Sequence, residues 1–138
     1  ANASILASDV FCSRLGLETV QPTMAYGRTS GRAGFHIMDA PNSDDIELLS
    51  GIGAAGVQVI CVVTDSEVSQ ANPMIPTLLI STTPDTGADL HLSGDAVHDQ
   101  QALLELCASC VCGDYDPYLN SSEMTAFQLA RGRLGCSL

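Results

Sequence analysis

Lysine is absent from these 138 residues, and so is tryptophan. Five arginines stand against 16 acidic side chains, giving a formal charge of −11. Without lysine the chain has no Schiff-base nucleophile, no pyridoxal-phosphate anchor and no Walker A phosphate loop. An acidic chain lacking any basic cluster is a poor match for nucleic acid or an anionic membrane surface. Long apolar runs are missing as well. Short strand-like pieces such as Val57 to Val63 fall far below the roughly 20 residues of a membrane span. No charged start leads into a long apolar stretch, so no secretory signal is read. The first residue is Ala1, which reads as a trimmed piece.

Apolar residues make up 46% of the chain, enough for a packed core and too many for a disordered segment. Six cysteines are present: Cys12, Cys61, Cys107, Cys110, Cys112 and Cys136. An even count suits a disulfide framework, but six in 138 is sparse for one. Cys61 also falls in a strand-like run, and Cys107 and Cys110 in a helical pattern. Free thiols and a cytoplasmic setting are therefore expected.

One domain over 1–138 is expected, with 1–33 as an N-terminal segment and linker and 34–138 as the core. Ile5 to Leu17 reads as a short helix, and Tyr26 to Gly34 as a Gly-rich loop. Phe35 to Met38 reads as a strand, and Pro41 to Ser43 as a turn. Ser43 then caps a helix whose first turn holds Asp44 and Asp45, with Ile46, Leu49, Ile52 and Gly53 on one face and a stop at Gly56. Val57 to Val63 reads as a strand buried on both faces, as in a parallel sheet. Thr77 to Thr82 and Asp89 to Ser93 read as further strands, and Asp95 to Cys112 as a helix. This order predicts an α/β class: a small Rossmann-like layered domain with a mainly parallel sheet. Ligands in such folds sit beyond the carboxyl ends of the strands, which selects Asp39 to Ser43, Thr64 to Glu67 and Thr82 to Asp85.

Each candidate residue has two readings. Asp39 is a substrate or metal contact, or an Asx-turn ahead of Pro41. Thr64 bonds a ligand or caps the next turn. Asp65 and Glu67 hold a metal or face solvent. Cys107, Cys110 and Cys112 are metal ligands or small core residues, with core the stronger reading. His36 reads as a structural hydrogen-bonder, and His91 as the general base if there is one. Arg28 and Arg32 reach an anion or pair with the acidic surface. Ser122 and Glu123 read as the capped start of a last element.

From about Thr19 to Leu138 the chain resembles the C-terminal domain of the altronate and galactarate dehydratases. Gly34-Phe35-His36-Ile37-Met38-Asp39-Ala40-Pro41 is similar to the family's Gly-Leu-x-x-Met-Asp-x-Pro. Ser50-Gly51 with Ala54-Ala55-Gly56 resembles its Thr-Gly-x-x-Ala-Ala-Gly. Pro76-Thr77 opens the next strand at the family's spacing. Ser121-Ser122-Glu123 resembles Lys-Ser-Glu, and Leu134-Gly135 the terminal Ile-Gly. After the central strand the family carries Thr-Thr-Gly-Arg-Gly, where this chain has Val63-Thr64-Asp65-Ser66-Glu67. Asp89-Leu90-His91-Leu92 is a faint echo of the family's Asp-Met-Asp-x-Asn.

The resemblance implies a sugar-acid hydro-lyase domain. It implies substrate contacts at Asp39, Thr64, Ser66, Ser122 and Glu123, a divalent metal ion at Asp65 and Glu67, and work done together with N-terminal and middle domains or a partner subunit. Such a lyase removes a proton next to a carboxylate and expels a β-hydroxyl, which needs a base, an acid and positive charge on the enediolate. Two carboxylates in place of Gly-Arg-Gly repel an anionic sugar acid, so the alternative is a non-catalytic binding or assembly relative with a decayed loop. Apolar strand faces also suit a homo-oligomer.

Overall fold

A computed structural model describes residues 23–40, 44–65, 70–83, 87–122 and 124–127. Its centre is a three-stranded parallel sheet in the order β1-β2-β3, with β1 at Ile60–Val63, β2 at Thr77–Ser81 and β3 at Leu90–His91. Helix α1 spans Asp45–Ala54, α2 spans Ala96–Cys112 and α3 spans Tyr118–Ser121. The small α/β layered domain with a parallel sheet is thus the fold. No helix among the described residues is long and apolar enough to cross a membrane.

The core is built on β2. All five of its residues are buried, and Leu78, Leu79 and Ile80 join Ile60, Leu49, Ala71 and Leu119 in the apolar interior. Parallel pairing sets Ile60 opposite Thr77 and Val63 opposite Ile80, and the amide of Thr64 carries the ladder one step further to the carbonyl of Ile80 at 3.0 Å. On the other side β3 pairs at only two positions, Ile80 with Leu90 and Ser81 with His91. Its shortness has a cause: the amide of Leu79 donates to the carboxylate of Asp89 at 2.7 Å, so a side chain stands where more strand would run.

β1 differs from its sequence expectation. It begins at Ile60 rather than Val57, and it is not buried on both faces: Cys61 is exposed and Val63 is 69% exposed. As an edge strand it has a sheet neighbour on one side only. The strand expected at Phe35 to Met38 is reduced to a single bridge between Met24 and Met38. That neighbourhood is rich in glycine and polar residues, which favour turns over an extended ladder.

α1 is capped by Asp44, whose carboxylate accepts from the amide of Glu47 at 2.9 Å; Ser43, expected in that role, lies outside the described residues. Its buried face is Glu47, Leu49, Ser50 and Gly51, rotated from the expected apolar face. The reason is what packs there. The ring of Tyr26 lies where a Cβ on Gly51 would point, and the amide of Asn72 lies 2.8 Å from where one on Gly53 would sit. Asn72 is fully buried: it donates to the carbonyl of Leu49 at 3.1 Å and accepts from the amide of Met74 at 2.9 Å. Asn120 extends this network from α3, donating to the carbonyl of Asn72 and accepting from the amide of Thr77.

α2 matches its expected limits. Asp95 accepts from the amides of Val97 and His98, and Gly113 ends the helix in the left-handed region at φ 79. The amides of Gly113 and Asp114 return to the carbonyls of Cys110 and Ser109, a Schellman closure.

Candidate functional site

Parallel strands send their carboxyl ends to one edge of the sheet. At that edge the turn after β1 meets the turn after β2. Asp65 follows β1, and its Oδ1 accepts from Thr82 Oγ1 at 2.6 Å, from the Thr82 amide at 3.1 Å and from Ser81 Oγ at 3.4 Å. The Thr82 hydroxyl and then the Thr82 amide hold its carboxyl below the usual carboxylate range. Ser81 Oγ in turn accepts from the amide of Thr83 at 3.0 Å. Thr64, Ser81, Thr82 and Thr83 thus line a hydroxyl-rich rim around one ionised carboxylate. The next turn, after β3, is organised in the same way. Asp99 accepts from the amide and hydroxyl of Ser93 and from the amide of Gly94, and the Ser93 hydroxyl foremost lowers its carboxyl.

A cleft of about 380 Å³ runs between α1 and β1 and opens at this rim. Leu48 and Ile52 from α1 and Ile60 and Val62 from β1 form its apolar walls, and Asp45 and Thr64 are its polar groups. A second cavity of about 330 Å³ lies beside it, where Met24, His36 and Met38 face Leu48 and Ile52.

The sequence candidates divide into groups. Thr64 and Asp65 come together at the rim, joined by Thr82, which opens a strand-end turn selected from the sequence, by Ser81, and by Asp45, read from the sequence only as an acidic residue of the helix's first turn. His91 is the last residue of β3, opposite Ser81, and is exposed. Asp39 is exposed beside the Met24–Met38 bridge, with its amide on the carbonyl of Met24, and lines neither of these two cavities. Asp89 does not reach the rim. Besides Leu79 it accepts from the Tyr115 hydroxyl at 2.8 Å and the Tyr118 amide at 2.9 Å, fastening the start of α3 to the middle of β2. Ser122 closes α3 instead of opening a new element, since its hydroxyl donates to the carbonyl of Tyr118 at 2.6 Å. α3 is tied through Asn120 to Thr77, the opposite end of β2 from the rim. Ser66, Glu67 and Glu123 lie outside the described residues, as do Cys12 and Cys136. His36 is the structural hydrogen-bonder expected: its Nε2 lies 2.8 Å from Ser30 Oγ and 2.9 Å from the carbonyl of Arg32.

The described residues do not by themselves fit a divalent metal at this rim. Asp65 offers one carboxylate, whose Oδ1 already takes three hydrogen bonds, and no group of three His, Cys, Asp or Glu among the described residues is placed to hold a metal ion. Cys61, Cys107, Cys110 and Cys112 are free thiols, and of these only Cys110 is buried. The reading of Cys107, Cys110 and Cys112 as small core residues therefore holds for Cys110 alone: Cys107 is half-buried and Cys112, in the last turn of α2, is exposed, as is Cys61 on β1. In comparisons with protein families, curated proteins and solved structures, no match to the chain was found.

Proposed function

We propose that this chain is the α/β module of a sugar-acid dehydratase-like lyase, working in the cytoplasm with further domains or a partner subunit. The observation that carries the reading is the meeting of the β1 and β2 turns at one hydroxyl-lined rim over the α1–β1 cleft. Thr64 lies where the resembled family has its Thr-Thr-Gly-Arg-Gly loop. Hydroxyls there suit the polyol chain of a sugar acid, each able to donate and accept. The substrate's carboxylate needs a cation, and Asp65 supplies the opposite sign. Neither Arg28 nor Arg32 lines the cleft, so that cation comes from elsewhere, such as a partner domain. The free thiols support a reducing compartment.

A second reading, a non-catalytic binding or assembly relative, is favoured by one observation. Two carboxylates that hold strand-end turns among the described residues are spent on the chain itself, Asp65 on Ser81 and Thr82, and Asp99, from the first turn of α2, on Ser93 and Gly94.

Three measurements separate the readings. The purified chain is titrated with galactarate and with altronate while amide NMR shifts are followed. The lyase-module reading expects shifts at Thr64, Asp65 and Thr82, and silence at all three rejects it. Turnover to the 2-keto product, assayed with a divalent cation, establishes that the chain is catalytic on its own. Shifts without turnover match a module that needs its missing domains. No shifts, together with stable self-association in light scattering, match the assembly reading.

A further inference from the structure

The sulfurs of Cys61 and Cys107 lie 3.8 Å apart, although the residues are 46 positions apart in sequence. One is on the edge strand β1 and the other on α2. Cys61 also lines the α1–β1 cleft, so one member of the pair sits in a wall of that cleft. The contact is one of few ties between α2 and the sheet. Along its 17 residues α2 buries only Cys110, and it leaves Val97, Leu104 and Val111 exposed. Two free thiols on separately anchored elements are thus in sulfur–sulfur contact, and a rotation of side chains or a slight shift of a lightly held helix can supply the closure to about 2.05 Å.

We propose that Cys61 and Cys107 are a redox-modification site, closed to a reversible disulfide by exchange with a low-molecular-weight disulfide such as oxidised glutathione. The Cys107 sulfur, as thiolate, attacks one sulfur of the small disulfide. The small disulfide's S–S bond breaks, and one small thiolate leaves and takes up a proton. The Cys61 thiol then gives its proton to solvent, and its sulfur attacks the Cys107 sulfur of the mixed disulfide. The Cys61–Cys107 bond forms, and the second small thiolate departs and is protonated. Two protein thiols are oxidised, and one small disulfide is reduced to two thiols.

The order of attack follows from the surroundings of Cys61. Partial burial around its sulfur, then the neighbouring Cys107 and Cys110, push its thiol up to about 12, so it is the poorer first nucleophile. A mixed disulfide on Cys107 carries no charge, which removes that neighbour's contribution, while the burial that acts most strongly on Cys61 remains, so the second attack is the slower one.

The test uses the whole chain. The protein is incubated with oxidised glutathione, its remaining thiols are blocked, and it is cut by a glutamate-specific protease. Cuts after Glu67 and Glu105 separate Cys61 from Cys107; trypsin is unsuitable, because no arginine lies between them. The expected product joins the Cys61 peptide to the peptide starting at Leu106, comes with a rise in Tm, and reverts with dithiothreitol. Because Cys107, Cys110 and Cys112 share that second peptide, C110A and C112A must keep the cross-link and C107A must lose it. A cross-link that persists in C107A, or that joins two chains, overturns the proposal. So does a native protein that forms none while the urea-unfolded chain forms disulfides under the same treatment. Mapping the wild-type cross-link does not depend on any variant folding.

Discussion

Asp65 ties two turns together through a single oxygen. Its carboxyl is held low by hydrogen bonds, so the sign of its pH effect is fixed. The stabilisation is present above the unfolded value of 3.8 and is lost as pH falls below it. D65N is expected to lower the urea midpoint near neutral pH and to show a shallower fall on the acid limb than wild type. Parallel acid limbs for the two proteins would mean the Thr82 bonds contribute nothing. Gly51 is the second informative residue. A methyl group there meets the ring of Tyr26, whose hydroxyl donates to the carbonyl of Glu47. G51A is expected to cost about 1–3 kcal/mol in denaturant unfolding, and Y26A placed in the G51A background to cost less than the sum of the two single changes. Asp65 was legible in the sequence as a carboxylate after an apolar strand. The strand-end rule selected the Thr82 turn too, but the pairing of Asp65 with Thr82 was not legible, because 17 residues separate them and only the parallel register brings them together.

Among the elements, α2 was the most legible, since an Asp cap and a left-handed Gly stop are local chemistry that a single sequence displays. β1 was less so. A run of β-branched residues looks the same in a central strand and at an edge, and only the sheet order decides which faces stay open. α1 was read as a helix correctly and its buried face incorrectly, because Tyr26 and Asn72 come from distant segments and prefer the small side of the helix. Asn72 joins three elements: it reaches α1 through Leu49, β2 through the Thr77 hydroxyl and α3 through Asn120. N72A leaves the Leu49 carbonyl and the Met74 amide without that side chain, and a loss of about 2–3 kcal/mol is expected from chemical denaturation. At this same scale, a Cys61–Cys107 bond spanning 46 residues restricts the unfolded chain by about 4 kcal/mol in the chain-entropy account.

For the whole molecule, alkaline pH is the revealing stress. Burial and its sulfur neighbours raise the Cys61 thiol from 9.0 to about 12, and burial with the Asp89 hydrogen bond raises the Tyr115 phenol from 10.0 to about 12. Both groups are raised in the folded state, so their stabilisation is complete below 9.0 and is lost as pH climbs toward about 12. Thermal melts are expected to hold Tm up to pH 9.0 and then fall steadily, and C61A to flatten the early part of that fall. Alternation of apolar strands with helices made the parallel sheet legible at this scale. The site was legible only in part. The rule that ligands sit past strand ends selected the turns of Thr64, Asp65 and Thr82, which the sheet brings to one rim, whereas Asp89 and Ser122 act as fasteners elsewhere on β2 and α3.

The sheet has one further consequence. Both pairings of the sheet run through β2, and every residue of β2 is shielded from water. β1 and β3 can each peel off without disturbing the other: residues 78 and 80 of β2 turn their backbone groups toward β1, as the Ile80 carbonyl does to the Thr64 amide, while Leu79 turns its amide and carbonyl toward Asp89. In deuterium exchange the Leu78 and Ile80 protons will therefore report the release of β1, and the Leu79 proton the release of Asp89, each at its own rate.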